Sequence, residues 1–378
     1  MCELSRMASV ADLRHAARRR LPRLVFDFID GGAESEVGLQ RNEAAFSSMT
    51  LSPRALRNAS KIDTAVTFLG QSYSAPLGIA PMGMSGLSRH GADAMLAGAA
   101  LQAGLPFCLS TAATASIEDV AAQMGAAVDK LLWFQLYMPK TREVGHDLMA
   151  RALACGVQTL VLTVDVPLPG RRLRDTRNGF SIPFRIDPLM LWDFLRHPAW
   201  AFDKLLHGQP RLANWKKYAQ PGQSAASLAQ LQASQVDAAL SWDDVADIRR
   251  RWPHKLIVKG LSDAGDVATA RELGADAAWL SNHGGRQLDA SPAPLHALRG
   301  VREAVGPEYP LVIDSGVRYG GDIVKAMMAG ASFCFTGRAP LYGVAAYGAA
   351  GAVHALQLLL SGMTNTLGLI GRSDFKPS

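Results

Sequence analysis

Short apolar segments recur along the chain between residues 77 and 335, and a stretch with helical signals follows most of them. The starts of successive segments are 30, 24, 28, 97, 21, 34 and 22 residues apart. Short runs with β-branched and aromatic residues are typical of buried parallel strands. The spacing therefore predicts eight βα units, with one long insertion after the fourth strand. The predicted strands are residues 77–80, 107–109, 131–136, 159–164, 256–258, 277–280, 311–313 and 333–335.

Capping residues mark the boundaries of the predicted helices. Ser116, Ser241 and Ser262 each stand before an acidic first turn, which is the sequence pattern of a helix N-terminus. Glycines end helices ahead of the next strand, at Gly104, Gly156, Gly274 and Gly330. These boundaries and the strand spacing predict a (β/α)8 TIM barrel. A doubly wound sheet is the competing architecture, but no GxGxxG motif follows an early strand.

The barrel assigns a place to each part of the chain. Residues 1–378 are predicted to form a single domain, with the barrel over 77–362. Residues 1–76 form an N-terminal helical cap, and 166–235 form the insertion after strand four.

Charged residues make up 19% of the chain, below the usual value of about 25%. Such a chain keeps much of its surface out of water, in a core, an oligomer interface or a membrane contact. The net charge is only +6, and the densest basic run, Arg18 to Arg20, fits the solvated face of a helix. Nucleic-acid binding is therefore not expected. The four cysteines lie far apart without metal-ligand spacing, so we expect no metal site and a reduced, intracellular chain.

Two segments could contact a membrane. Residues 339–371 contain no Asp, Glu, Lys or Arg, but their polar side chains and glycines favour a buried helix over a membrane span. Residues 180–215 hold seven of the 27 aromatic residues of the chain. They are Phe180, Phe184, Trp192, Phe194, Trp200, Phe202 and Trp215, together with the cations Arg185, Arg196, Lys204 and Arg211. This mixture suits a surface in a membrane interface, and a packed excursion or a subunit contact is the alternative.

Polar residues cluster where the predicted strands end, which is the face where barrel active sites lie. They are Gln135 and Tyr137, Thr163 and Asp165, Lys259, residues 281–286, residues 314–318 and residues 336–338. A single Asp after a strand is usually a helix cap. Six consecutive strand ends with such residues indicate an active site instead.

The last two strand ends indicate a phosphate site. Gly316 with Arg318, and Gly337 with Arg338, place backbone amides and guanidinium groups where barrels commonly bind phosphate. Lys259 would project into the same opening and could stabilise negative charge on a ring. His283 and Asp165 could pair as an oriented base, with Arg286 beside them to hold a substrate carboxylate.

These strand ends resemble those of the FMN-dependent L-2-hydroxy-acid oxidase/dehydrogenase family. The resemblance runs from about residue 21 to about residue 362, and within the family it is strongest to the (S)-mandelate and L-lactate dehydrogenases. The motifs are Leu132-Trp-Phe-Gln-Leu-Tyr137, Leu162-Thr-Val-Asp165, Val258-Lys-Gly260, Ser281-Asn-His-Gly-Gly-Arg-Gln-Leu-Asp289 and Asp314-Ser-Gly-Val-Arg318.

The resemblance implies FMN as the cofactor and oxidation of an L-2-hydroxy acid to a 2-keto acid. It implies that His283 is the base, with Asp165 as its carboxylate partner. It implies further that Tyr137 faces the reacting oxygen and that Arg286 and Arg172 surround the substrate carboxylate. Lys259 lies near flavin N1. The implied FMN contacts are Ala80, Pro81, Met82, Gly83, Ser110, Gln135, Thr163, Lys259, Ser281, Asp314, Ser315, Gly316, Arg318, Gly337 and Arg338.

Three further positions bear on the substrate. Gly83 matches a site that is glycine in many dehydrogenases and alanine in oxidases, which implies poor reaction with oxygen. Ala112 matches a position where glycolate oxidases carry tryptophan, which leaves space for a side chain such as phenyl. Phe28 replaces a tyrosine that touches the substrate carboxylate in the family. The loss of one hydrogen bond to a charged group, about 1.5–3 kcal/mol, predicts weaker or altered substrate binding.

The resemblance also favours peripheral membrane attachment through residues 180–215, on the cytoplasmic side of the inner membrane, over a soluble cytoplasmic protein. Electrons would pass to a quinone or another respiratory acceptor, and the chain would form a homotetramer. An oxidase that uses O2 and releases H2O2 is one alternative. A flavin-binding module whose chemistry is impaired by Phe28 is another.

Overall fold

The computed structural model describes residues 3–181, 187–219 and 225–375, without the side chains of 225–227. Its centre is a closed barrel of eight parallel strands in the order β10-β3-β4-β5-β6-β7-β8-β9. The predicted TIM barrel is therefore confirmed. The strands are β1 (Val66–Phe68), β2 (Gln71–Tyr73), β3 (Leu77–Ile79), β4 (Phe107–Ser110), β5 (Leu132–Leu136), β6 (Thr159–Thr163), β7 (Lys255–Leu261), β8 (Ala277–Leu280), β9 (Leu311–Ile313) and β10 (Phe333–Thr336).

Each barrel strand pairs with a neighbour on both sides, so the barrel closes without a gap. Cys334 in β10 pairs with Leu77 in β3, and Phe107 in β4 pairs with Leu132 in β5. Aromatic rings fill the interior, where Trp279 and Phe335 lie 4.2 Å apart between ring centroids. An added Cβ at Gly78 would lie 2.4 Å from the Phe335 ring, so a glycine is needed beside this bulky side chain.

The N-terminal region contains three helices, where a helical cap was predicted, and a hairpin that the sequence pattern did not predict. The helices are α1 (Val10–Arg20), α2 (Arg23–Asp30) and α3 (Val37–Ser48), preceded by a 3₁₀ helix at Glu3–Arg6. Strands β1 and β2 pair in antiparallel fashion. Their Phe68 and Tyr73 pack against Trp133 and Phe333 and close the N-terminal end of the barrel. Each strand has only three residues and includes exposed polar side chains, so neither forms an apolar run like those of the barrel strands.

Most of the helices that surround the barrel follow the predicted boundaries. The Ser116 side chain accepts a hydrogen bond from Asp119 N, and Ser241 forms a capping box with Asp244. The third N-cap is Asp263, one residue after the predicted Ser262, because its carboxylate accepts from two backbone N–H groups. The first barrel helices are α4 (Ala92–Ala103), α5 (Ile117–Met124), α6 (Val128–Leu131) and α7 (Arg142–Ala154), with 3₁₀ turns at Ser85–Leu87 and Gly125–Ala127.

The insertion between β6 and β7 is helical where the structure describes it. It contains α8 (Leu173–Arg177), α9 (Pro188–Arg196), α10 (Pro198–His207), a 3₁₀ helix at Ala213–Tyr218 and α11 (Ala225–Ser234). Residues 182–186 of the predicted membrane segment, including Phe184 and Arg185, lie outside the described residues, as do 220–224.

The remaining helices complete the barrel and close its outer side. They are α12 (Trp242–Arg251), α13 (Ala264–Glu272), α14 (Pro294–Val305), α15 (Gly320–Met328), α16 (Arg338–Tyr347) and α17 (Ala349–Leu369). Helices α16 and α17 contain the uncharged segment 339–371, and α16 is largely buried. None of the described helices has the length and apolar character that a membrane span needs.

Candidate active site

A cavity of about 750 Å³ opens at the carboxyl ends of the barrel strands. Most of the predicted site residues line it, although they come from all parts of the chain. They are Phe28, Ala80, Pro81, Met82, Gly83, Ala112, Tyr137, Thr163, Arg172, Lys259, His283, Arg286, Asp314, Ser315, Gly316, Arg318, Gly337 and Arg338. Ser110, Gln135, Asp165 and Ser281 lie behind this lining and are largely buried.

His283 sits between a carboxylate and a phenol. Its Nδ1 lies 3.0 and 3.2 Å from the two carboxylate oxygens of Asp165. Its Nε2 lies 3.3 Å from the Tyr137 hydroxyl. A proton on Nδ1 is the arrangement that Asp165 favours, because a carboxylate only accepts hydrogen bonds. This tautomer leaves the Nε2 lone pair directed toward Tyr137 and free to take a proton.

The backbone around His283 is held in an unusual conformation. Its φ is +58°, in the left-handed region that few non-glycine residues adopt. The Ser281 hydroxyl accepts a hydrogen bond from His283 N at 3.0 Å, which fixes the turn. On the opposite side, a Cβ at Gly260 would lie 2.6 Å from the Asp165 Cβ. A glycine at 260 is therefore required for Asp165 to reach the imidazole.

Burial and neighbouring charges set the protonation states of Asp165 and Tyr137. Burial alone would raise the pKa of Asp165, but the charge and hydrogen bond of His283, together with Lys259, hold that pKa below its usual value. Burial and the Asp165 charge raise the pKa of Tyr137. Asp165 is thus a carboxylate and Tyr137 a neutral phenol over the ordinary pH range.

Lys259 is a buried cation at the floor of the cavity. It lies within β7 rather than after it, since β7 extends to Leu261. Its Nζ donates to the Ser281 hydroxyl at 2.9 Å and lies 3.2 Å from an Asp314 oxygen. Burial would lower its pKa, but the charges of Asp314 and Asp165 raise that pKa above the usual value. Lys259 therefore stays protonated and lines the cavity, where its positive charge can stabilise negative charge on a bound group.

Two guanidinium groups and a phenyl ring form another wall of the cavity. The guanidinium carbons of Arg286 and Arg172 lie 5.2 and 5.6 Å from the centroid of the Phe28 ring. Burial and the charges of Arg172 and Arg338 lower the pKa of Arg286 to about 9. Concentrated positive charge of this kind attracts an anion such as a carboxylate.

Two buried polar atoms in the barrel fit a heterocyclic cofactor. Gln135 Nε2 and Thr163 Oγ1 have no hydrogen-bond partner within the described part of the chain, although both residues are buried. Both residues lie near the carboxyl ends of barrel strands, β5 and β6, and the cavity opens at these ends. Buried polar groups in proteins almost always have partners. A ring with hydrogen-bonding edges, such as a flavin, would supply the missing ones.

The phosphate end predicted after β9 and β10 combines glycines with two arginines. Gly316 has a φ of +117°, and its Cβ would meet Asn42 O at 2.5 Å. Arg318 pairs with Glu43 at 3.1 Å. Arg338 donates to the backbone carbonyls of Ile29, Gly31 and Gly284, so its guanidinium braces the cavity wall. The start of α16, directly after Gly337, supplies backbone N–H groups of the kind that bind phosphate.

Gly83 and Ala112 lie side by side in the cavity wall. A Cβ at Gly83 would lie 2.9 Å from the Ala112 Cβ, closer than two such atoms can approach. The absence of a side chain at 83 and the small one at 112 therefore depend on each other. Together they leave room beside the predicted ring position.

Other residues that shape the cavity were not identified from the sequence. Phe180 stacks on Phe28, with ring centroids 4.6 Å apart and ring planes 6° apart. Asn42 of α3 exchanges side-chain hydrogen bonds with Asn282 of the His283 loop at 2.7 and 2.8 Å. These partners are far apart in sequence, and no local pattern predicts the contact. The far wall comes from the insertion and α12, through Leu212, Trp215, Val236, Leu240 and Trp242.

Among the described residues, no group of three or more His, Cys, Asp or Glu side chains is arranged to hold a metal ion. The cavity instead combines an oriented imidazole, a buried ammonium group, an anion-binding wall and unpaired amide and hydroxyl groups.

Comparison with known proteins agrees with this chemistry. Residues 17–377 match the family described as FMN-dependent dehydrogenase. (S)-Mandelate dehydrogenase of Pseudomonas putida is 42% identical over 366 residues, which cover 97% of this chain and 91% of that protein. L-Lactate dehydrogenase of Xanthobacter autotrophicus is 39% identical over 366 residues, which cover 97% and 93%. The crystal structure of the monotopic membrane protein (S)-mandelate dehydrogenase has a TM-score of 0.93 and 41% identity, covering 98% of this chain and 97% of that one.

Proposed function

The chain belongs to the FMN-dependent dehydrogenase family, and from this premise we propose that it oxidises L-2-hydroxy acids such as (S)-mandelate or L-lactate to 2-keto acids. One observation carries the proposal. His283 is held between Asp165 and Tyr137 in a cavity that also presents the guanidinium groups of Arg286 and Arg172. A base and a carboxylate-binding wall in one cavity suit a substrate with a carboxylate next to the reacting carbon.

FMN fits the polar groups of this cavity. Bound there, it accepts two electrons from the substrate and passes them to a second acceptor. Gln135 and Thr163 would pair with the polar edge of the flavin ring, and Lys259 would stabilise negative charge that builds on it. Asp314, Ser315, Gly316 and Arg318, with Gly337 and the start of α16, would hold the ribityl chain and phosphate. Ala80, Pro81, Met82, Ser110 and Ser281 complete the proposed cofactor site.

Each side chain around the substrate would have a separate role in the reaction. His283 Nε2 takes a proton from the substrate, while Asp165 stabilises the imidazolium that forms. Arg286 and Arg172 hold the carboxylate, and Tyr137 donates to the reacting oxygen. Gly83, Ala112 and Phe28 border the substrate side chain. A positioned general base contributes about 10²–10⁴-fold to a rate.

The insertion offers a surface for membrane attachment. Seven large apolar side chains on α9 and α10 are more than half exposed: Leu189, Leu191, Trp192, Leu195, Phe202, Leu205 and Leu206. The opposite face of the same helices is fixed to the barrel, since Trp200 Nε1 donates to Leu87 O at 2.8 Å. This amphipathic arrangement suits peripheral membrane binding. The cytoplasmic side of the inner membrane and a quinone acceptor are the parts of the proposal that rest on the family resemblance alone.

The homotetramer implied by the resemblance is also part of the proposal. Helix α17 is uncharged, and outside its buried stripe it remains partly exposed, with Leu369 at its end in water. A subunit contact would cover such a face. Light scattering of the purified protein in detergent would measure the assembly, and a monomer would contradict it.

Anaerobic reduction of the bound flavin tests the proposed reaction. The purified protein should be yellow and contain FMN, and (S)-mandelate or L-lactate should bleach its visible absorbance. Protein that cannot be loaded with FMN, or that no 2-hydroxy acid bleaches, would refute it. Yellow protein without bleaching would favour the flavin-binding module, which Phe28 suggests. Oxygen uptake with the same substrates would favour the oxidase, which Gly83 argues against.

A further inference from the structure

Phe28 is the centre of a cluster of aromatic rings and cations at the edge of the cavity. It lies near the end of α2, and its ring lines the cavity. One neighbour is Phe180, whose ring lies parallel to it at 4.6 Å. Its other close neighbours are the guanidinium groups of Arg286 and Arg172, at 5.2 and 5.6 Å from the ring centroid. The ring therefore contacts both cations of the anion-binding wall.

These two cations repel each other and have few acidic partners. The charge of Arg172 is one cause of the lowered pKa of Arg286. Arg172 pairs with Asp175 at 3.0 Å. Within the described residues, Arg286 forms no ion pair and donates instead to the backbone carbonyls of Phe28 and Gly31, at 2.7 and 3.0 Å. The charge of Asp175 acts on both guanidinium groups. A partly desolvated pair of like charges that shares one carboxylate still gains from another favourable contact.

An aromatic face supplies that contact. The electron-rich face of a phenyl ring attracts a guanidinium group, most strongly where water is excluded. Phe180 covers part of the same ring and limits its movement. Phe28 thus stabilises Arg286 in two ways, through its ring and through its carbonyl oxygen.

We propose that Phe28 is a positioning residue whose ring holds Arg172 and Arg286 together as a two-guanidinium receptor for the substrate carboxylate. The proposal rests on the proposed function and specifies how the substrate is recognised. Since a phenyl ring has no hydroxyl, the carboxylate is recognised by charge and by guanidinium N–H groups. The phenylalanine at 28 is then a working part of the receptor rather than a loss.

Binding of a carboxylate that cannot be oxidised tests the idea separately from turnover. The probes are phenylacetate and its neutral analogue phenylacetamide, titrated into the FMN-loaded protein and followed by flavin absorbance. Phe28→Leu removes the aromatic face, and Phe28→Tyr keeps it. Phe26→Leu is the matched control, because it makes the same change on the same helix, where Arg14 lies 5.6 Å from the Phe26 ring. Flavin content and circular dichroism verify that each variant is folded.

We expect Phe28→Leu to weaken phenylacetate binding about tenfold, the size of a desolvated cation–π contact, and phenylacetamide binding less than about twofold. In turnover, KM should rise about tenfold while kcat changes less than about threefold. Phe28→Tyr should keep at least about one third of the wild-type affinity for phenylacetate. Phe26→Leu should bind phenylacetate as tightly as the wild type.

Three results would overturn the proposal. They are equal phenylacetate affinity in Phe28→Leu and wild type, equal losses for phenylacetate and phenylacetamide, and no phenylacetate binding to the wild type. Failure of the proposed function has a different signature. In that case, no 2-hydroxy acid reduces the wild-type flavin, whatever the result with phenylacetate.

Discussion

Burial and neighbouring charge act most strongly on Arg286. They lower its pKa, first through burial and then through the charges of Arg172 and Arg338, but a guanidinium group stays protonated in proteins. The cavity therefore keeps a buried cation with which a substrate carboxylate would pair. We expect Arg286→Met, which removes the charge, to raise KM for (S)-mandelate at least about tenfold, the size of one hydrogen bond to a charged group. Steady-state kinetics with a check of flavin content would measure this, and an unchanged KM would contradict it.

The placement of single residues in the cavity could be predicted where the chain carries them in a short motif after a strand. His283 and Arg286 follow β8 within one loop, and Asp165 follows β6, so strand ends alone bring them to one face. The surroundings of Phe28 could not be predicted in this way. Its contact with Phe180 joins residues 152 positions apart, through a helix and a loop whose relative placement depends on tertiary packing.

At the scale of elements, one buried carboxylate joins four helices. Asp30 at the end of α2 accepts hydrogen bonds from Arg14 of α1, Arg174 of α8 and Tyr342 of α16. Arg174 also pairs with Glu36. Because Arg172 starts this same segment, the Asp30 contacts fix the position of a predicted substrate-binding residue. They connect the N-terminal region with the insertion.

The contacts of Asp30 predict how the unfolding free energy of the protein falls at acidic pH. Burial raises the pKa of Asp30, but the hydrogen bonds and charges of its partners lower it to about 2, from 3.8 for a free group. A folded-state pKa below the unfolded value stabilises the protein above pH 4, and the stabilisation disappears as the pH falls from 4 to 2. Asp30→Asn should lose about 2–3 kcal/mol of unfolding free energy at pH 7 and show a weaker decline below pH 4. Urea unfolding at pH 7, 4 and 3 measures both, and an unchanged pH dependence would contradict the assignment.

The insertion helices carry the second prediction at this scale. Replacing Leu189, Trp192, Phe202 and Leu206 by Gln removes exposed apolar surface but leaves Trp200 and its hydrogen bond to the barrel in place. The variant should bind lipid vesicles at least about tenfold more weakly and keep its flavin, because burial of each large apolar side chain contributes about 1.5–3 kcal/mol. Co-sedimentation with vesicles measures binding. The control is Leu56→Gln with Met328→Gln, which changes exposed apolar side chains elsewhere. Equal loss in the control would contradict a specific membrane surface.

At the scale of the whole molecule, the barrel brings residues from distant segments of the chain together in one site. Strand spacing and helix caps are repeated, local signals, so the order and number of barrel strands could be predicted from them. The hairpin of β1 and β2 could not, because its strands are not apolar runs like the equally short β3 and β9. It forms where Phe68 and Tyr73 cover the barrel end. The far wall of the cavity, which includes Leu212 and Trp215 of the insertion, was also not predicted. Its residues follow β6 by more than 45 positions, and only folding of the insertion back over the barrel brings them to the cavity.

The most direct test of the account compares flavin reduction in the wild type and in His283→Gln. Both FMN-loaded proteins are mixed with (S)-mandelate and with L-lactate without oxygen, and the rate of bleaching is measured. Because His283 lies between Asp165 and Tyr137 as the predicted base, the wild type should be reduced by at least one substrate. The variant should keep its flavin and react at least about 10²-fold more slowly. Equal rates in the two proteins, or no reduction of the wild type by either acid, would contradict the account.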